Sequence, residues 1–264
     1  MIKVEQLQLT FNQGTPIENH VLRGLNLNIR EGEFVTIIGS NGAGKSSLLN
    51  VISGDLLPDS GKIAINGKNV TRWTAWKRAG MVARVFQDPM VGTCENLTIE
   101  ENLAIAYNRG YRFTLSSALN RNIRSIFKEK LATLNLGLEN RLSDMMGLLS
   151  GGQRQAISLL MSTLQPSKIL LLDEHTAALD PKTAQFVLEL TNEIVSKNQL
   201  TTMMVTHSMK QALEYGTRTV MLHQGQVVLD VSGEQRAKLT VTDLLDMFEK
   251  TRGEKVTDDA LLLG

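Results

Sequence analysis

Hydrophobic and polar positions alternate through the first third of the chain, with Leu25, Leu27 and Ile29 on one face and then Ile63 and Ile65 before an Asn66-Gly67 turn. A period of two predicts half-buried antiparallel strands, and Asn-Gly predicts a hairpin. Phe34 to Ile38 breaks the alternation as a continuous apolar run leading into glycines, with a helical stretch over Ser46 to Ile52 behind it. That order of fully buried strand, glycine-rich loop and helix is the setting a phosphate-binding loop needs. From about Thr98 to Leu149 the pattern becomes helical. A capping box of Thr98 with Glu101 opens it, and Leu115, Leu119, Ile123, Ile126 and Phe127 continue at helical spacing. Strands and helices then alternate: Ile169 to Leu172, a helix from about Pro181, Thr201 to Thr206, a helix near Ala212, and a hairpin across Val220 to Val231. Such alternation predicts a parallel sheet with crossover helices, and the tail after Val231 reads as short and helical.

Composition narrows the class. A chain of 264 residues suits one large domain, or a core with a subdomain, and has ample length for a core. Its net charge of +1, with 21% charged residues, gives no basic field of the kind that collects nucleic acid. A single cysteine, Cys94, permits neither an internal disulfide nor a multi-cysteine zinc module and suits a reducing compartment. MIKVEQLQLTF lacks the layout of a signal peptide, and no apolar run reaches the length of a bilayer span, so membrane attachment would come through a partner.

The chemistry begins at Gly39-Ser40-Asn41-Gly42-Ala43-Gly44-Lys45-Ser46, a full match to G-x-x-x-x-G-K-[ST], with Ser47 next in the helix. Its glycines let backbone amides surround the phosphates of a nucleotide at the positive end of a helix. Lys45 is placed to reach the β and γ oxygens, and the Ser46 hydroxyl to ligate Mg²⁺. Downstream, ILLLDEHTAALD brings a buried strand to two adjacent acids. Given a phosphate loop upstream, Asp173 is expected to hold the metal and Glu174 to orient or deprotonate an attacking water. At Leu149-Ser150-Gly151-Gly152-Gln153, small residues ahead of a helix from about Gln153 form a second anion site, which one nucleotide in one chain does not need.

The phosphate loop, Gln87, LSGGQ, the Asp173-Glu174 pair, Ala178-Leu179-Asp180 and His207 occur together in an order and spacing that resemble the ATPase subunit of an ABC transporter over essentially the whole chain. The resemblance implies an α/β P-loop NTPase of ABC type, a mixed sheet with an N-terminal antiparallel β subdomain and an inserted helical subdomain. Residues 1–92 and 153–235 would form the RecA-like core with the antiparallel part, residues 93–152 the helical subdomain with the signature, and residues 236–264 the tail. ATP and Mg²⁺ are the implied cofactors. The family pattern makes Gln87 a loop residue that approaches metal and water, and His207 a γ-phosphate contact. Phe11 becomes the aromatic that stacks on adenine, in place of the commoner tyrosine. Asp180 lies in a loop crossing the dimer interface and also suits a helix N-cap before Pro181.

A head-to-tail homodimer is implied, in which Ser150, Gly151, Gly152 and Gln153 of one copy meet the nucleotide of the other. Two integral-membrane permease subunits, an extracytoplasmic solute-binding protein and a place on the cytoplasmic face of the membrane complete the picture, with no nucleic acid. Met90, Val91, Leu97, Tyr107, Tyr111 and Phe113 are candidates for the permease surface or, equally, for insertion core. His175 departs from the proline that usually follows the glutamate, restoring an N–H and adding a titratable ring. A pH-sensitive interface contact and a lineage-specific turn substitution both follow from that. DEHTAALD is similar to components serving importers of small solutes, aromatic amino acids such as tryptophan among them. One rival is a soluble ABC ATPase acting on a cytosolic scaffold, as in iron–sulfur cluster assembly. Another, a DNA-repair or chromosome-organising ATPase, fits poorly with an insertion that lacks sustained heptads.

Overall fold

The computed structural model describes residues 1–110 and 119–252. In chain order the first elements are β1 (Ile2–Phe11), β2 (Asn19–Ile29), β3 (Phe34–Ile38), α1 (Lys45–Ser53), β4 (Ser60–Ile65), β5 (Lys68–Asn69) and α2 (Ala75–Arg78). Next come β6 (Val82–Val85), α3 (Ile99–Tyr107), α4 (Arg121–Ala132), α5 (Gly151–Thr163), β7 (Ile169–Asp173) and α6 (Pro181–Asn198). The chain continues through β8 (Thr201–Val205), α7 (Met209–Glu214), β9 (Arg218–His223), β10 (Gln226–Ser232), α8 (Gly233–Ala237) and α9 (Val241–Arg252). The chain divides into two compact units, one of Met1–Arg78 with the chain from Gln199 onward, the other Ala79–Asn198.

The first unit holds an antiparallel sheet in the order β2-β1-β4-β5, whose alternating inward side chains include Ile2, Val4, Leu7 and Leu9. It also holds β3, paired in parallel with β8 on one side and β9 on the other, with β10 antiparallel on β9. Every residue of β3 and of β8 is buried, which accounts for their unbroken apolar runs. Helices α8 and α9 belong to this unit. Leu244 and Phe248 of α9 are fully buried with Ile38, Met209, Ala212 and Met221. From α8, Arg236 donates to the carbonyls of Ala212, Leu213 and Tyr215 at 2.9, 3.0 and 2.5 Å, satisfying the acceptors at the end of α7.

Arg78 serves α1 in the same way. Its wholly buried guanidinium donates to the carbonyls of Val51 and Ile52 at 2.6 and 2.8 Å and to those of Val70 and Thr71 at 2.6 and 3.3 Å. One cation thus joins the end of α1 to the segment after β5. Burial pushes its pKa down to about 10, against the opposing charge of Asp55, so the group stays protonated at neutral pH.

In the second unit β6 and β7 pair in parallel, Val82 beside Ile169 through Val85 beside Leu172. The helical stretch between them is not one periodic run. Thr98 caps α3 through the expected capping box with Glu101. Leu115 lies outside the described residues, and Leu119 precedes α4, because the Asn120 side chain accepts from the Ile123 amide and starts the helix there. Tyr107 meets Phe127 edge to face at 5.8 Å between ring centroids, which places it in the insertion core, whereas Met90 and Val91 are exposed. Tyr111 and Phe113 lie outside the described residues.

His175, in the turn after β7, is buried and pairs through Nε2 with Thr191 Oγ1 at 3.0 Å. Thr191 donates its own proton to the Val187 carbonyl at 2.7 Å, so the ring must be the donor and carries its hydrogen on Nε2. Burial lowers the ring pKa to about 4. The side chain therefore faces α6 of its own chain and is neutral at physiological pH.

Two outcomes are expected. Arg78→Met, which strands the carbonyls at the end of α1, should cost about 3 kcal/mol in urea unfolding, with Arg78→Lys recovering less than half. The His175 ring, followed by NMR, should keep the neutral Nε2–H tautomer from pH 7 to near pH 5. Because the folded pKa lies below the unfolded one, the stability this histidine contributes is present above about pH 6.5 and lost as pH falls toward about 4.

Candidate functional site

Each buried strand hands its chemistry to the loop at its carboxyl end. After β3, Gly39 has φ 149°, Gly42 76° and Gly44 99°, values that L side chains seldom adopt. A Cβ on Gly39 would also collide with the Leu222 carbonyl oxygen, so glycine there is enforced by the packing of β9. The loop is braced by hydrogen bonds from the Ala43 amide to the Ser40 carbonyl and from the Gly225 amide to the Ala43 carbonyl, both at 3.1 Å. Lys45 is buried and its ammonium donates to the carbonyls of Gly39 at 2.7 Å and Ser40 at 3.2 Å, curling over the loop. Gly44 offers α1 no side-chain cap, and the positive end of this helix faces the loop. Asn41 and Ser46 are exposed and Ser47 is half-buried at the mouth of this loop.

In the same unit His207 follows β8 and is half-buried. Its position is fixed by its neighbours: the Ser208 amide donates to Thr206 Oγ1 at 3.1 Å, Thr206 Oγ1 donates to Gln211 Oε1 at 2.7 Å, and Ser208 caps α7. Phe11 ends β1 and is 37% exposed, unlike the buried Leu7 and Leu9 of the same strand, so part of its ring is open for stacking.

The second unit carries the acids. Asp173 ends β7 buried, and its Oδ2 accepts from Arg84 Nη2 at 2.6 Å. Glu174, the next residue, is half-buried with φ 46°. A left-handed glutamate is strained, and strain of this kind survives where surrounding structure or function demands it. Gln87 is exposed just beyond β6, and the Phe86 carbonyl before it accepts from the buried Gln155 amide of α5 at 3.1 Å. The helix expected from about Gln153 begins at Gly151, because Ser150 is its N-cap. Ser150 Oγ accepts from the Gln153 amide at 3.3 Å, and Gln153 Oε1 accepts from the Ser150 amide at 3.2 Å. Ser150 and Gly151 are exposed and Gln153 half-buried, a helix N-terminus open to an anion. Gly152 is buried, and a Cβ there would overlap Thr183 Cγ2, so this glycine also answers to packing against α6. Asp180 accepts from the Thr183 amide at 3.1 Å and caps α6, and the Thr183 hydroxyl and amide hold its carboxyl below the usual range.

Sequence reasoning passed over Arg84 and Gln155. The signal for Arg84 was a charge inside the otherwise apolar run Met81 to Phe86, and for Gln155 an amide on a helix face that is otherwise apolar. Among the described residues no group of three or more histidine, cysteine or acidic side chains forms a metal cluster, and no helix is long and apolar enough to cross a membrane.

A family model described as ABC transporter matches residues 22–177. The chain is 46% identical to the tyrosine transport ATP-binding protein of Clostridioides difficile (strain R20291), over 94% of this chain and 99% of that one. It is 34% identical to the energy-coupling factor transporter ATP-binding protein EcfA2 of Acetivibrio thermocellus, over 93% of this chain and 84% of that protein. Among solved structures, a dimeric ATP-binding cassette in a post-hydrolysis state bound to ADP and Pi is similar at TM-score 0.75 and 29% identity, covering 88% of this chain and 98% of the other. The antiparallel and mixed sheets of the first unit, with parallel β6 and β7 and an inserted helical segment in the second, fit the cassette architecture. The chain belongs to the ABC transporter family, as an ATP-binding subunit with ATPase activity.

Proposed function

We propose that this subunit powers the import of a small solute through separate permease subunits, working as a head-to-tail homodimer with ATP between the two copies. The observation that carries the ATP chemistry is Glu174, a carboxylate held in a strained left-handed conformation directly after the buried Asp173. In this reading Lys45 leaves the carbonyls of Gly39 and Ser40 for the β and γ oxygens of ATP, while the amides of Gly42, Ala43, Gly44 and Lys45 neutralise phosphate charge. Phe11 stacks on adenine.

Ser46, Asp173 and Gln87 would hold Mg²⁺. One hydroxyl, one carboxylate and one amide without a dedicated cage suit that ion, which takes its remaining ligands from phosphate and water. When bound, the ion neutralises charge on the β and γ oxygens. Glu174 accepts a hydrogen bond from the attacking water and takes its proton, and His207 donates to the γ-phosphate and keeps the water in line. Ser150, Gly151, Gly152 and Gln153 of a second copy complete the γ-phosphate shell. The Ser150 oxygen accepts from its own helix, and its hydroxyl hydrogen is the donor it offers. Asp180 lies in the loop that crosses between the copies.

ATP then favours the closed dimer because it contacts both copies, and hydrolysis removes that bias. Within the subunit, residues 93–152 act as the permease-facing helical subdomain beside a core of residues 1–92 and 153–235, with residues 236–264 as the tail. Exposed Met90 and Val91 are apolar groups offered to a permease. An aromatic amino acid is the proposed solute, supported by 46% identity to a protein named for tyrosine transport. An extracytoplasmic solute-binding protein and a place on the cytoplasmic face of the membrane complete the proposal.

Glu174→Gln should bind ATP, accumulate as a dimer in size-exclusion chromatography with ATP present, and lose turnover by about 10²- to 10⁴-fold. Turnover at the wild-type rate would remove Glu174 from its role. Affinity purification from detergent-solubilised membranes should recover a multi-span permease in stoichiometric amounts. Recovery of soluble scaffold proteins alone would overturn the transport reading and leave the ATP chemistry intact.

A further inference from the structure

Arg84 has no part in the chemistry described so far, yet it touches the carboxylate on which that chemistry depends. It sits in β6 beside Leu171 of β7, three residues ahead of Gln87, and reaches along the sheet to the end of β7. Its Nη2 lies 2.6 Å from Asp173 Oδ2, with the two side chains only 11% and 13% exposed. The guanidinium carbon stands 4.6 Å from the centroid of the Phe86 ring, so the planar group is stacked as well as paired. A charged side chain in the middle of a buried apolar strand is costly to keep, and its partner here is the acid at the strand end.

A permanent cation in contact with Asp173 changes what that carboxylate can do for a divalent metal. Arginine does not lose its proton at any physiological pH, so relief of the repulsion between guanidinium and metal requires either movement of the side chain or added negative charge. The polyphosphate of ATP brings such charge.

We propose that Arg84 is a positioning residue that holds the Asp173 carboxylate and competes with the divalent metal for it, so that metal is admitted tightly only together with nucleotide. The proposal rests on the assignment of Asp173 to the metal. Loss of Arg84 removes a competitor and a repelling charge, so metal affinity rises. A residue that served only to orient Asp173 would give the opposite sign, because its loss would leave the metal ligand misplaced.

The probe is Mn²⁺, titrated by electron paramagnetic resonance against the full-length protein with and without a non-hydrolysable ATP analogue. Arg84→Gln should tighten Mn²⁺ binding without nucleotide by on the order of tenfold, and by less when the analogue is present. Arg84→Lys keeps the charge but neither forks nor stacks, so it protects the fold and should fall between wild type and Arg84→Gln. Unchanged or weaker Mn²⁺ binding in the folded variants overturns the competition. Asp173→Asn in the otherwise wild-type chain separates the two levels: if it leaves Mn²⁺ affinity with the analogue unchanged, the metal assignment itself fails, whatever Arg84 does.

Discussion

A strand buried on all its length cannot carry charge along it, and this constraint organises the chain. β3, β7 and β8 are buried at every position, and β6 departs from that only at Arg84. Polar chemistry is therefore displaced to the carboxyl ends, where backbone turns and helix termini supply the partners that a hydrocarbon core withholds. The phosphate loop follows β3, Asp173 closes β7 with Glu174 after it, His207 follows β8, and Gln87 follows β6. Each of these residues takes its place from a strand end. Where a charge does remain inside, at Arg84, it is paired at once with one of these strand ends.

Helix termini impose the complementary constraint. The carbonyls at the end of α1 are met by Arg78 and those at the end of α7 by Arg236, each a cation at the negative end of a helix. At the opposite ends the solutions diverge. Thr98, Asn120, Ser150 and Ser208 each cap a helix start with a side-chain oxygen, whereas α1 begins at Gly44 with none. α8 also starts without a side-chain cap bond, but the start of α1 is the one that lies in the phosphate loop. Ser150 is a capped start that still has something to give, since accepting from the Gln153 amide leaves its hydroxyl hydrogen unspent. A cap of this kind costs the helix nothing while it presents a donor outward.

The strands and most helices were legible because their residues obey a single local rule. Period-two alternation marked β2 and β4, continuous apolar runs marked β3, β7 and β8, and glycines marked the phosphate loop, where packing against Leu222 leaves no room for a side chain at Gly39. The helical insertion was read less well. Periodicity extended it back through Leu119, but a capping asparagine outranks periodicity and starts α4 at Arg121. The links that bind the site were illegible for a different reason. Arg84 to Asp173 and Gln155 to Phe86 are contacts between residues distant in sequence, and no local pattern encodes which carboxylate or carbonyl a buried polar side chain will meet.

The turn after Glu174 shows how a buried histidine is accommodated. Histidine at position 175 supplies an amide, which proline would lack, and a ring that has to be put somewhere. The ring goes inward, and Thr191, already bonded to its own helix through the Val187 carbonyl, serves as acceptor for Nε2–H. This requires the neutral ring, since the buried pocket disfavours a charge, and it ties the turn to α6 by a side-chain bond where proline would have stiffened the backbone. The strained Glu174 is thus followed by a residue anchored in the core.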